Sequence, residues 1–225
     1  ASAAGEIADV QLPLRPADRP ETLQEALTVA ELKTAVYSFQ LPLHAAGLLA
    51  DASPDRLEAL DAIGALLGIG FQLVDDLLGV FGDEDRTGKS ALGDLREGKR
   101  TALVAYAATT AHWPQLRALL GREDLTDEEA RSARDLLTAS GSRDWVEELA
   151  LWHLSSAVDA AARHDLPPAF SEALAATIAE IHAGLELLLP SDVSGGEPAG
   201  ADPVAAACSQ RAAAQRDAAS QRASA

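Results

Sequence analysis

An all-α bundle is the fold this sequence predicts, and three observations predict it. The chain is 48% hydrophobic but only 4% aromatic, with alanine and leucine dominant, so good helix formers outnumber the residues that strands favour. Its apolar positions recur at spacings of three and four rather than two. Clusters of Val, Ile, Thr and Tyr at alternating spacing are missing between those periodic segments. At 225 residues the chain is one domain's worth by length and can bury a substantial core.

Taken in order, Pro13, Pro16 and Pro20 break the first 20 residues into a short segment and a loop. A helix is predicted from Thr22 to about Leu49 on Leu23, Leu27, Ala30, Ala35 and Phe39, with Pro42 expected to kink or divide it. Ser53 as N-cap and Pro54 at the first helical position open the next helix, which runs through Leu57, Leu60, Ile63, Leu67, Phe71, Val74 and Leu78. The polar, glycine-bearing stretch 82–99 reads as a loop with room for one short helical turn. A short apolar helix follows from Thr101 to about Thr110, and Thr126 with Glu129 forms a capping-box pattern for another. Two more helices are predicted at about 142–164 and 168–189. Beyond Pro190 large apolar residues thin out in favour of Ala, Ser, Gly, Gln and Arg. We therefore divide the chain into a helical domain, 1–190, and a disordered low-complexity tail, 191–225.

The formal net charge of −17 argues against nucleic-acid binding, which needs clustered Lys and Arg. An anionic small molecule stays possible, because a bound cation reverses the local sign. The single Cys208 cannot form an internal disulfide, which fits a reducing, cytoplasmic setting. No run of about 18 consecutive apolar residues is present, so no transmembrane segment is expected. The first residues carry no basic-then-apolar secretory pattern.

Chemistry concentrates between Gly70 and Thr101. On a helix Gln72, Asp75, Asp76 and position 79 share one surface. Two adjacent carboxylates at the end of an apolar helix are costly to bury without a positive partner. Mg²⁺ takes one or two carboxylates together with waters and phosphate oxygens, and Lys89 and Lys99 follow on a loop that can fold over the anion. The pair alone serves equally well to solubilise a helix end. Two other motifs fail on inspection. Five residues separate Gly82 from Gly88 where a phosphate loop needs four, and a helix rather than a strand precedes them. An EF-hand beginning at Asp83 would place Ala91 and Asp94 at its ninth and twelfth positions. The five histidines show no shared metal-ligand spacing, and Trp113, Trp145 and Trp152 read as packing residues.

GIGFQLVDDLLGVFGDEDRTGKSALGDLREGKRTALVAYA resembles the second aspartate-rich region of the trans-isoprenyl diphosphate synthases, the polyprenyl synthetase family. ELKTAVYSFQLPLHAAGLLA resembles that family's Lys-Thr helix, and GEIADV its G-Q-x-x-D-L segment. The resemblance spans about residues 5–190 and implies an isoprenoid-synthase-type helical bundle. The implied reaction condenses an allylic prenyl diphosphate with isopentenyl diphosphate to a longer trans-polyprenyl diphosphate, with a geranylgeranyl-like product favoured, through Mg²⁺-assisted ionisation.

By that resemblance Asp75 and Asp76 bind the metal, while Lys33, Lys89 and Lys99 neutralise the leaving diphosphate. Thr34 and Gln72 sit near the reacting carbons and, with Lys33, form the catalytic set, and Tyr37 and Phe71 line the site. A homodimer is implied too. Two departures stand out. The family's D-D-x-x-D pattern ends here in Gly79, which removes one carboxylate from that helix face. The first aspartate-rich motif, carried in the family by helices upstream of the equivalent of Gly5, is not found. With no methionine in the chain, we expect a fragment of a longer synthase, inactive alone. A non-catalytic partner subunit and a class I terpene cyclase are the alternatives; retention of Lys33, Thr34, Gln72 and both aspartates counts against the first. The Lys-Thr and Gly-Lys elements count against the second.

Overall fold

A computed structural model of the chain describes residues 2–11, 22–83 and 93–189. They fall within one unit, Ala1–Ser194; a second, Gly195–Ala225, lies outside them, as do Lys89 and the tail predicted at 191–225. Among the described residues helix follows helix and no strand occurs.

The elements are α1 (Ser2–Gln11), α2 (Leu23–Ala30), a π-helical segment (Glu31–Gln40), α3 (Leu41–Leu49), α4 (Pro54–Phe81) and α5 (Gly93–Arg96). They continue as α6 (Ala102–Ala107), α7 (Trp113–Arg117), α8 (Asp127–Ala139), α9 (Ser142–Arg163) and α10 (Pro168–Leu188). Three starts follow their capping chemistry. Thr22 and Thr126 each accept the backbone N–H of a glutamate three residues on, and Glu25 and Glu129 accept their backbone N–H groups in return. Ser53 accepts from the Arg56 N–H, with Pro54 occupying the first turn.

The segment after Thr22 departs from its expected form. It is divided not by a kink at Pro42 but by widening into the π form over ten residues, Glu31–Gln40. The Leu41 N–H reaches back five residues to the Val36 carbonyl, and α-helical bonding resumes at Leu41. Proline lacks an N–H and crowds the carbonyl four residues behind it; here it is the second residue of α3, where the helix leaves the π form.

Helix α4 is the centre of the bundle and packs chiefly on α9 and the π segment. One face buries Ile63, Leu73 and Leu77 at or near full burial, each worth roughly 1.5–3 kcal/mol of hydrophobic stabilisation. Gly70 lets that face approach α9: a β-carbon there would sit 2.9 Å from the Leu154 side chain. By length and apolarity α4 would also suffice to cross a membrane, with a mean hydropathy of 1.6 over 18 residues, although charged and polar residues interrupt it. Within the fold 56% of that window is buried, as the central helix of a bundle is. Trp145 packs as expected, stacked on Tyr106 at 4.8 Å, whereas Trp152 is 39% exposed.

Candidate active site

A row of residues four apart on α4 builds the site: Gly64, Gly68, Gln72 and Asp76. Such residues stack on one helical face. The two glycines let the π segment lie directly on α4. A β-carbon at Gly68 would come within 2.2 Å of Ala35 Cα, and one at Gly64 within 2.7 Å of Gln40 Cα. One turn further, where the side chains begin to have room, Gln72 meets Thr34. The hydroxyl of Thr34 donates to Gln72 Oε1 at 2.5 Å. Gln72 Nε2 donates to Asp76 Oδ1 at 2.9 Å and reaches Asp75 Oδ2 at 3.5 Å. Carboxylates accept only, so the amide turns its NH₂ to them and its oxygen to Thr34. A continuous donor chain thus runs from Thr34 through Gln72 to the aspartate pair.

Two lysines close on this row. Helix α1 crosses the π segment at Gly5, where a β-carbon would lie 2.4 Å from the Lys33 backbone nitrogen. Four residues on, Asp9 accepts from Lys33 Nζ at 2.6 Å, with Glu6 at 3.9 Å. Burial lowers the affinity of the Lys33 ammonium for its proton, but the Asp9 hydrogen bond and charge outweigh it and leave the pKa raised.

Lys99 is presented by the turn that ends α5. Gly98 takes a left-handed conformation (φ 63°), the Gly98 N–H bonds the Leu95 carbonyl, and the Lys99 N–H bonds the Asp94 carbonyl. This is a Schellman ending, and it brings Lys99 Nζ onto the Asp94 carboxylate. Burial opposes the charge of Lys99 as well, and Asp94, Glu97 and Asp9 together raise its pKa.

Asp76 carries the largest perturbation. Burial pushes its carboxyl up to about 7, and the charges of Asp94, Asp75 and Asp9 add to the rise, against the Gln72 hydrogen bond. A carboxyl whose charged form is opposed by burial and like charge is a place where a cation offsets that cost. No three His, Cys, Asp or Glu side chains converge into a closed cage among the described residues. The donors are hard oxygens on a short face, which suits an ion that keeps its own waters and shares phosphate oxygens, as Mg²⁺ does.

Of the residues predicted from sequence, Lys33, Thr34, Gln72, Asp75, Asp76 and Lys99 come together; Lys89 lies outside the described residues. Phe71 packs against Phe39 at 5.6 Å and is 41% exposed, while Tyr37 points to solvent at 66%. Asp9 and Asp94 were missing from the predicted set. Asp9 lay in plain view as the aspartate of GEIADV, four residues after its glycine, and Asp94 as the acidic residue five before Lys99.

A family model described as polyprenyl synthetase matches residues 1–137. The chain belongs to the polyprenyl synthetase family. Among its relatives are a (2E,6E)-farnesyl diphosphate synthase of Mycobacterium tuberculosis, 37% identical over 153 residues covering 64% of this chain and 42% of that protein, and a geranylgeranyl diphosphate synthase of Methanosarcina mazei, 36% identical over 133 residues covering 59% and 40%. The fold agrees. A geranylgeranyl pyrophosphate synthase from Corynebacterium glutamicum, solved with isoprenyl diphosphate and magnesium, superposes with a TM-score of 0.72 at 33% identity, over 80% of this chain and 51% of that one. The match to this member of the family therefore spans about two-fifths of the length of these curated relatives.

Proposed function

We propose that this chain forms the Mg²⁺-diphosphate wall of a prenyltransferase site, where an allylic prenyl diphosphate is ionised and joined to isopentenyl diphosphate to give a longer trans-polyprenyl diphosphate of geranylgeranyl-like length. The observation that carries this reading is the donor chain Thr34–Gln72–Asp76 flanked by Lys33 and Lys99. A non-catalytic subunit would have no use for it. Asp75 and Asp76 would hold the metal, whose chemistry is to neutralise charge on the departing diphosphate. Lys33 and Lys99, with Lys89, present cations to the same oxygens; these are the only lysines in the chain. Thr34, its hydroxyl hydrogen turned to Gln72, offers its lone pairs to the developing carbocation. Phe71 and Tyr37, 41% and 66% exposed in this chain, would face the prenyl side. The helical domain would span 1–190 and work as a cytoplasmic homodimer.

The test is turnover by the full-length protein of labelled isopentenyl diphosphate with an allylic diphosphate and Mg²⁺. Changing Asp75 and Asp76 together to Ala is expected to lower kcat/KM by about a hundredfold or more, as loss of transition-state charge stabilisation does. Unchanged product formation would sink the assignment.

Acidity gives a second check. A carboxyl whose pKa is raised on folding stabilises the fold below its unfolded value and loses that contribution as pH rises through the folded one. Without metal, Asp76 therefore costs stability progressively between pH 3.8 and about 7. Cation binding needs the ionised form and releases a proton. We expect Mg²⁺ to raise Tm little at pH 5 and clearly at pH 8; equal shifts at both would show that Asp76 is not a ligand.

A further inference from the structure

The helix face that carries Gln72, Asp75 and Asp76 has an empty place at Gly79, and the neighbouring turn fills it. A β-carbon added at Gly79 would lie 2.2 Å from Asp94 Oδ2 and 3.1 Å from Asp94 Cγ. The Asp94 carboxylate therefore occupies the volume that any side chain at 79 would enter. It is only 18% exposed there, and it holds both ends of one residue: its carbonyl accepts the Lys99 N–H at 3.0 Å, and its carboxylate pairs with Lys99 Nζ. It also lies close enough to Asp76 for its charge to be felt.

We propose that Gly79 and Asp94 are a matched pair: glycine leaves open the seat from which Asp94, acting as a positioning residue, aims Lys99 at a diphosphate anion. Seen this way, the carboxylate that α4 lacks at its last functional position is supplied from α5, already coupled to a cation. The inference rests on the diphosphate reading above for the ligand but on packing alone for the pair. Gly79→Ala separates the two. Helix α4 gains from the exchange, because alanine is a better helix former than glycine. The atom that must yield is the end of a side chain rather than backbone, so folding is spared while Asp94 is pushed off its seat.

Three measurements on the 225-residue chain decide it: acetylation of Lys99 by an amine-reactive ester, followed by mass spectrometry without metal or anion; calorimetric binding of inorganic diphosphate with Mg²⁺; and Tm. For Gly79→Ala we expect Lys99 to be acetylated several times faster relative to Lys33, diphosphate to bind about three- to tenfold more weakly, as loss of an aligned charged hydrogen bond allows, and Tm to hold or rise. Asp94→Asn should act in the same direction, and Gly79→Ala/Asp94→Asn should be no worse than Asp94→Asn alone. Wild-type acetylation and affinity in Gly79→Ala, or additive losses in the double variant, would overturn the pairing. A wild-type chain that binds no Mg²⁺-diphosphate, with Lys99 acetylation still responding to Gly79→Ala, would support the pairing and overturn the functional reading instead.

Discussion

Lys33 and Lys99 come from different parts of the fold to within reach of each other's charge, each tied to a carboxylate that also bears on Asp76, and the two ties are built in opposite ways. Asp94 precedes Lys99 by five residues, and the Schellman turn at Gly98 joins them before any tertiary structure is needed. Asp9 lies 24 residues from Lys33, and the pair exists only because α1 docks on the π segment at Gly5. One lysine is preset by local chemistry and the other by packing. The difference teaches that damage to the docking of α1 should free Lys33 and leave Lys99 in place.

Gly5→Val should show this most strongly. Its β-carbon would meet the backbone of Leu32 and Lys33 at 2.4–2.7 Å, and backbone cannot swing aside as a side chain can. Overpacking of this kind costs about 1–3 kcal/mol or more. We expect a large fall in urea midpoint or an undocked α1, with Lys33 acetylated faster and Lys99 unchanged. Equal gains at both lysines would mean that the two ties are not independent.

Gly98→Ala attacks the other tie. Alanine at φ 63° is strained by about 1–3 kcal/mol, and its β-carbon would lie 2.8 Å from Gly121 Cα. Here Lys99 should be freed and Lys33 held. Should Lys99 keep its protection in a folded Gly98→Ala protein, the turn would not be what places it.

How much of this could be read beforehand follows the same division. The caps at Ser53 and Thr126 rest on contacts three residues apart and were read from the sequence; the Thr22 capping box has the same spacing, but only a helix start was predicted there. The Gln72, Asp75, Asp76 face was legible for the same reason, being a matter of helical period. The Thr34–Gln72 bond joins residues 38 apart. Family resemblance pointed to both members, but no spacing rule gives that contact. The π form of 31–40 was not legible, because its side chains fit an α-helical period; the fold shows the segment lying directly on α4 at Gly64 and Gly68. Asp9 and Asp94 were visible as residues and invisible as partners. What identifies them is the space left by a glycine elsewhere, at Gly5 and at Gly79.

The smallest effect, and the sharpest use of the contrast, is Asp9→Asn. Asparagine keeps the shape at position 9 and removes the charge, so α1 should stay docked. Losing a charge-assisted hydrogen bond in a part-buried place costs about 1.5 kcal/mol. The Lys33 ammonium is held above its ordinary pKa only because Asp9 and Glu6 outweigh burial; with Asp9 neutral, burial has less to oppose it and the pKa falls. Stability from a raised lysine is present in full below 10.5 and lost as pH rises through the folded value. The stability gap between wild type and Asp9→Asn should therefore be full at pH 8 and shrink above pH 10.5. Asp9 also contributes to the rises at Lys99 and Asp76 through charge alone. Those two should shift slightly, the carboxyl toward its ordinary acidity, while Lys99 keeps its bond to Asp94. Lysine ammonium and carboxyl NMR titrations separate the cases. A large change at Lys99 would show that Asp9 holds both lysines, and that the site is one network rather than two independent ties.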